Sequence, residues 1–323
     1  MSIEARGLLT LSELTREDLE GLMARSRELF HDRKAHDRPL RDKVVGVLFA
    51  KTSTRTRTAF TSGVVRLGGF PVTYGPHDLQ TVTGESLKDT GRIFGSMLDA
   101  LVARTSGPLA DLREMAGAGR LPVINAMAAE EHPTQGVCDL ATMLMEFGSL
   151  DGISVLYVGE GNNTASALAH GASHLPRCHL TFATPPGYGL DPQVLDSAAK
   201  RAAESGGSVR EVHGMDDLPT DVDVVYTTRW QTTGTVKADP DWREKFRPFH
   251  IDEQLLRRWP EAKFMHDLPA HRGEEVSGAV LDGPRSIAWQ QAEMKLTSAM
   301  AVLEWVATGN TGNTGNPPQP KRS

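Results

Sequence analysis

Residues 49–60 run Phe49-Ala50-Lys51-Thr52-Ser53-Thr54-Arg55-Thr56-Arg57-Thr58-Ala59-Phe60, gathering hydroxyls and two guanidiniums where an apolar run stops and a helical pattern starts. In an open α/β sheet the carboxyl end of a strand faces the ligand crevice. Free N–H groups at a helix N-terminus favour an anion there, the hydroxyls of Ser53, Thr54 and Thr56 add donors, and Arg55 offers a two-pronged contact to phosphate oxygens. The same residue types would also serve an exposed, capped helix start. The stretch lacks the GxxxxGK[ST] spacing that specifies a nucleoside-triphosphate loop.

Other patterns carry less chemistry. Gly159-Glu160-Gly161 follows a strand-like run as a dinucleotide loop would, but Asn162, Asn163 and Thr164 come next without a third glycine. The following strand then ends Phe182-Ala183-Thr184 with no carboxylate for a ribose, which argues against a nicotinamide enzyme. His170 and His174 share a helical face at i, i+4, yet lack the glutamate of a zinc-protease motif and a third ligand, so packed or solvated helix histidines fit better. His132, directly before Pro133, reads by itself as a satisfied structural residue. Two cysteines, Cys138 and Cys178, are too few for a disulfide framework and make no zinc signature. No metal and no cofactor is called for.

The elements that would hold these residues alternate strand and helix. Thr15 caps a helix expected over 15–30, and strands are expected at Val44–Phe49, Phe70–Tyr74, Ala100–Arg104 and Pro122–Asn125, with helices starting near Thr54, Ser86, Gly107 and Thr134. After Gly148 the rhythm restarts with strands at Ile153–Val158, His179–Ala183, Val222–Tyr226 and Phe264–His266, and helices to about His174 and over Pro192–Ala203. This is α/β patterning with two parallel sheets. Residues 286–307 predict one or two C-terminal helices. Beyond them, Gly-Asn-Thr repeats and Pro317, Pro318 and Pro320 predict a disordered tail over 308–323.

A chain of 323 residues suits two domains sharing one site, and 39% hydrophobic with 24% charged residues is ordinary globular composition. The net charge of −6 supplies no global positive field for a nucleic-acid backbone or an anionic membrane, so any phosphate handled here is small. No apolar run approaches a membrane span, and the charged N-terminal segment does not read as a secretory signal. A cytoplasmic location is expected.

Ser53-Thr54-Arg55-Thr56-Arg57 resembles the carbamoyl-phosphate signature of the aspartate and ornithine carbamoyltransferase family. Further segments agree in order: Glu85-Ser86-Leu87-Lys88-Asp89-Thr90, Arg104 at a strand end, His132-Pro133-Thr134-Gln135, and His266-Asp267-Leu268-Pro269-Ala270-His271-Arg272-Gly273-Glu274-Glu275. The resemblance spans about residues 5–307, and the last segment, with Gly159 to Asn163, is similar to the ornithine branch. It implies a carbamoyl-phosphate-binding domain over 1–148, completed by a C-terminal helix at about 290–307, an acceptor-binding domain over 149–289, and a site in the cleft between them. It further implies that Ser53, Thr54, Arg55 and Thr56 hold the phosphate, and that Thr56, Arg104 and His132 polarise the carbonyl. Gln135 and backbone carbonyls near Leu268 would take the carbamoyl NH₂, with Leu268-Pro269 as the family's cis peptide. Gln80 falls where the family sends a loop into a neighbouring subunit's site, which implies a homotrimer or a multiple of one.

Departures from that pattern lie mostly on the acceptor side. The family's usual Cys is Asp267, its Asp followed by Ser-Met-Gly becomes Thr228-Arg229-Trp230-Gln231-Thr232-Thr233-Gly234, and its C-terminal Arg is Lys295. Asn163, Thr228, Thr232, Thr233 and Asp267 are the expected acceptor contacts, with Arg55, Arg104, His132 and Asp267 as catalytic candidates and Lys295 as a further substrate contact. Loss of the carboxylate at Thr228 predicts a diamino-acid-like acceptor other than free ornithine, as in secondary metabolism. The alternatives are ornithine carbamoyltransferase itself and a non-catalytic paralogue.

Overall fold

A computed structural model describes residues 7–232 and 235–308. Its first half runs α1 (Arg16–His31), β1 (Val44–Phe49), α2 (Arg55–Arg66), β2 (Phe70–Tyr74), α3 (Leu87–Met97), β3 (Ala100–Arg104), α4 (Leu109–Gly119), β4 (Val123–Asn125) and α5 (Pro133–Phe147). The second runs β5 (Ser154–Val158), α6 (Asn163–Ala172), β6 (His179–Ala183), α7 (Pro192–Glu204), β7 (Ser208–Val212) and β8 (Val224–Thr227). It closes with α8 (Trp242–Phe246), α9 (Glu253–Leu256), β9 (Lys263–His266), α10 (Gly278–Leu281) and α11 (Ala288–Thr308).

Both sheets are parallel throughout, in the orders β2-β1-β3-β4 and β7-β6-β5-β8-β9. The central strands β1, β3, β5 and β8 are almost wholly buried, because helices cover both faces, and so they read as unbroken apolar runs. Strand order reverses between β1 and β3 in one sheet and between β5 and β8 in the other, and such reversals open a crevice at the carboxyl ends. The register pairs Phe49 with Arg104, so the segment after β1 and the end of β3 emerge side by side.

The C-terminal helix is a single element, Ala288–Thr308, that returns to pack on α1, α2 and α5 and also touches β9. Thr308, expected in the tail, is its last residue, and the remainder of the expected tail lies outside the described residues. Thr15 caps α1 as expected, its side chain accepting from the Asp18 N–H. Strand β7 was not expected: Val209 and Val212 flank Arg210 and Glu211, and an edge strand buried on one side does not show a continuous apolar run. Among the described residues no helix is long and apolar enough to cross a membrane.

The glycines after β5 serve geometry. Gly159 takes φ of 132°, and a Cβ on Gly161 would stand 2.3 Å from the backbone of Gly189 and Leu190. Gly161 thus lets two loops touch rather than admitting a dinucleotide. Gly161→Ala is expected to cost about 1–3 kcal/mol of stability through overpacking. An unchanged urea midpoint for this variant would contradict that packing account.

Candidate active site

The two sheet crevices face each other and enclose a cleft of about 210 Å³. From the first sheet come Ser53, Thr54, Arg55 and Thr56 after β1, Arg104 from the end of β3, and His132 and Gln135 from the start of α5. From the second come Asn163 and Thr164 at the start of α6, Thr228 and Thr232 after β8, and Asp267 and Leu268 after β9; Lys295 reaches in from α11. All of these except Thr164 were expected from the sequence.

The donor side is a set of fixed hydrogen-bond donors with few internal acceptors. Thr54 occupies the N-cap position of α2 but makes no side-chain cap bond, and no acidic residue sits in the first turn, so the helix end remains available to an anion. The half-buried Arg55 opens this helix. Arg104 is buried, its Nη1 lies 3.4 Å from Thr56 Oγ1, and its Nε has no hydrogen-bond partner among the described residues. Burial pushes the Arg104 guanidinium down to about 10, with Arg55 acting in the same direction and Asp267 opposing it. Arg104 therefore remains cationic at neutral pH, and an entering phosphate would supply the counter-charge it lacks.

His132 caps the entry to α5, with Pro133 at the first helical position. Its Nδ1 lies 3.3 Å from Thr134 Oγ1, and its backbone N–H donates to Asn163 O at 3.0 Å, which ties the two halves together beside the cleft. Burial holds its pKa well below the usual value, reinforced by Lys295 and Arg104. A neutral imidazole results, able to donate one hydrogen bond to a carbonyl oxygen without adding charge. Gln135 donates from Nε2 to Asp139 Oδ1 at 2.6 Å and accepts from Lys295 Nζ through Oε1. The Leu268-Pro269 bond is cis, as expected, and the Leu268 N–H donates to His266 Nδ1 at 2.8 Å.

The acceptor side is richer in hydroxyls and amides than in charge. Thr228 Oγ1 lies 3.1 Å from Tyr157 Oη and receives Asn162 Nδ2 at 3.2 Å. Thr232 Oγ1 receives the same amide at 3.0 Å and donates to Glu160 Oε2 at 2.9 Å. The other Glu160 oxygen takes Lys237 Nζ, an ammonium lying over the rings of Tyr188, Trp242 and Phe246. Asn163 Nδ2 is committed to Ala128 O at 2.9 Å. Asp267 is the one carboxylate among the described residues lining the cleft; its side chain is 19% exposed and its Oδ2 accepts from Thr164 Oγ1 at 3.3 Å. Burial raises its pKa, against the opposing pull of His266, Lys295, Thr164 and Arg55.

One expected residue among those described is not in this cleft. Gln80 is exposed in a 3-10 turn on the β2–α3 connection and accepts from Thr83 Oγ1 at 2.8 Å, because that connection follows the outer edge of the first sheet. Thr233 lies outside the described residues. The cleft also takes in Asn162, Thr164 and Arg229, which sequence reasoning did not select. Asn162 had a signal: an Asn where a helix starts after a strand is an N-cap, and its side chain does accept from the N–H groups of Thr164 and Ala165.

Residues 6–145 match the family model of the carbamoyl-P binding domain of aspartate/ornithine carbamoyltransferases, and residues 151–306 match that of the Asp/Orn binding domain. The chain belongs to the aspartate/ornithine carbamoyltransferase family. It is 36% identical over 312 residues to the ornithine carbamoyltransferase of Thermococcus kodakarensis, covering 96% of this chain and 98% of that one. With the Symbiobacterium thermophilum ornithine carbamoyltransferase it shares 38% over 309 residues, covering 94% and 98%. The ornithine carbamoyltransferase structure from Pyrococcus furiosus superposes with a TM-score of 0.86 at 36% identity, covering 94% of this chain and 97% of that one. The chain is therefore a carbamoyl-transferring enzyme, and the non-catalytic alternative loses its ground.

The expectation that Arg55 and Arg104 hold the phosphate predicts that inorganic phosphate at one hundred times its Kd stabilises the protein by about 2.7 kcal/mol. Arg55→Ala should abolish most of the corresponding Tm rise in a thermal-shift titration. An equal rise in the variant would place the anion elsewhere.

Proposed function

We propose that this enzyme transfers the carbamoyl group of carbamoyl phosphate to the primary amine of ornithine, releasing phosphate. The observation that carries the reading is that its likeness to relatives named ornithine carbamoyltransferase runs through both halves of the chain. This favours ornithine over the different acceptor expected from the sequence. The division of labour follows the sequence reading: residues 1–148 with the C-terminal helix hold the donor, and residues 149–289 hold the acceptor.

In the proposed reaction a neutral amine nitrogen attacks the carbamoyl carbon, forming the new C–N bond, and the carbonyl oxygen gains charge. Thr56 Oγ1, Arg104 and the neutral His132, which line the cleft together, meet that oxygen as donors already in place. The C–O bond to phosphate then breaks, and the leaving dianion stays paired with Arg55, Arg104 and the free N–H groups of α2. The amine proton ends on the departing phosphate, which leaves as the HPO₄ dianion; it passes there directly or by way of Asp267, whose raised pKa makes it a better transient base than an exposed aspartate.

A second reading is favoured by Thr228 and Asp267. At the family's α-amino subsite Thr228 offers a hydroxyl already engaged by Tyr157 and Asn162, while the nearby Glu160 is engaged by Thr232 and Lys237. The carboxylate that does line the cleft, Asp267, stands where the reacting amine would arrive. Such a site suits a diamino acid whose α-nitrogen is acylated or absent, a substrate of secondary metabolism. Comparing free ornithine with an α-N-acyl ornithine decides between them: a higher kcat/KM for free ornithine supports the first reading, and the reverse supports the second.

We further infer a cytoplasmic homotrimer in which Gln80 serves the neighbour's cleft. Exposed Phe70, Val72, Ile93 and Met97 on and beside the edge strand β2 support an interface there. Arg55→Ala should lower kcat by about 10²- to 10³-fold, the cost of losing one preorganised donor, and Gln80→Ala should lower activity only in the oligomer. A sedimenting monomer with full turnover would refute the shared site.

A further inference from the structure

Helix α5 is buried on every side from Pro133 to Met143, and at its centre lies Asp139, fully buried with no cation among the described residues in hydrogen-bond contact. Three donors converge on it. Its Oδ1 accepts from Gln135 Nε2 at 2.6 Å and from Gln291 Nε2 at 2.7 Å, and its Oδ2 accepts from Tyr226 Oη at 2.8 Å. Gln291 in turn accepts the His266 backbone N–H through Oε1 at 3.0 Å. One carboxylate therefore gathers α5, α11 and β8 directly and fixes the end of β9 through a single amide. Burial pushes the Asp139 carboxyl up to about 7, against the pull of its donors and Lys295, and a shell of donors without an acceptor is the environment of the ionised form.

The consequence lies at Gln135. A side-chain amide has a donating end and an accepting end, and here one end meets a carboxylate and the other an ammonium, Lys295. Those partners leave one choice: the NH₂ points into the core and the carbonyl oxygen points to the cleft. A carbamoyl group differs from an acetyl group of nearly the same shape in that its NH₂ donates, so only an accepting group can tell them apart.

We propose that Asp139 is a positioning residue for donor selection: it pins the NH₂ of Gln135, so that an oxygen is offered to the carbamoyl NH₂, and through Gln291 it steadies the backbone at His266 that precedes Leu268. The proposal rests on Gln135 being the group that receives the carbamoyl NH₂. Without the carboxylate the NH₂ of Gln135 loses its anchor, and with only Lys295 on Oε1 the amide no longer offers its oxygen to the carbamoyl NH₂ at a fixed position, a loss that an acetyl methyl does not register.

The test compares the KM for carbamoyl phosphate with the Ki of acetyl phosphate in the wild type, Asp139→Leu, Asp139→Asn and Gln135→Leu. Asp139→Leu should raise the KM about tenfold, the usual scale of one lost buried hydrogen bond, while the acetyl phosphate Ki moves by less than about twofold. Asp139→Asn keeps one oxygen within reach of both amides and should recover most of the discrimination. Asp139→Ala replaces the leucine variant if that one does not fold. If both constants rise together, or neither changes, Asp139 is structural only and the proposal falls. If Gln135→Leu leaves the ratio of the two constants unchanged, the assignment of Gln135 fails first; a changed ratio there with an unchanged one in the Asp139 variants overturns the proposal alone.

Discussion

The molecule is organised around a concentration of positive charge that folding cannot neutralise by itself. Arg55, Arg104 and Lys295 converge on a cleft whose lining contains one carboxylate, Asp267, among the described residues. Burial depresses all three cations, and each is partly relieved by that aspartate. Removing charges from water costs several kcal/mol each unless a partner is present. Three cations facing one carboxylate are the electrostatic setting that an anion of two charges would balance.

Everything else in the fold serves to hold those charges at fixed separation. Parallel strands β1 and β3 fix Arg55 and Arg104 through their register, and α11 crosses from the second sheet back to the first to deliver Lys295. The hydrogen bond from His132 to Asn163 and the buried cluster around Asp139 tie the facing halves together near the reacting atoms. Catalysis by preorganised donors requires this stiffness, since a donor that must reorient at the moment of reaction contributes little.

Much of this was legible in the sequence because strand ends in parallel sheets announce themselves. An unbroken apolar run followed by Ser53-Thr54-Arg55, or ending in Arg104, locates a crevice residue without any structure. Edge strand β7 was not legible, since only Val209 is buried and the partly exposed Arg210 and Glu211 interrupt the apolar run. Asp139 was not legible for a different reason: a lone aspartate within a helix is by default solvent-facing, and only burial all round α5 shows that it must be partnered. Arg229 was not legible, because the residues following a strand do not by their spacing say which of two neighbours lines a crevice, and here both Thr228 and Arg229 do. Gln80 could be placed on a loop by sequence, and the structure leaves it exposed on the β2–α3 connection, outside the cleft of its own chain.

The central claim is that Asp267 belongs to the amine and the guanidiniums belong to the phosphate. Calorimetric titration of Asp267→Asn with inorganic phosphate, beside its kcat/KM for the amine, tests this most directly. The account predicts phosphate binding as tight as in the wild type or tighter, because a neutral amide no longer competes for Arg55 and Arg104, together with a fall in kcat/KM for the amine of about tenfold or more. Weakened phosphate binding with amine use intact would contradict it.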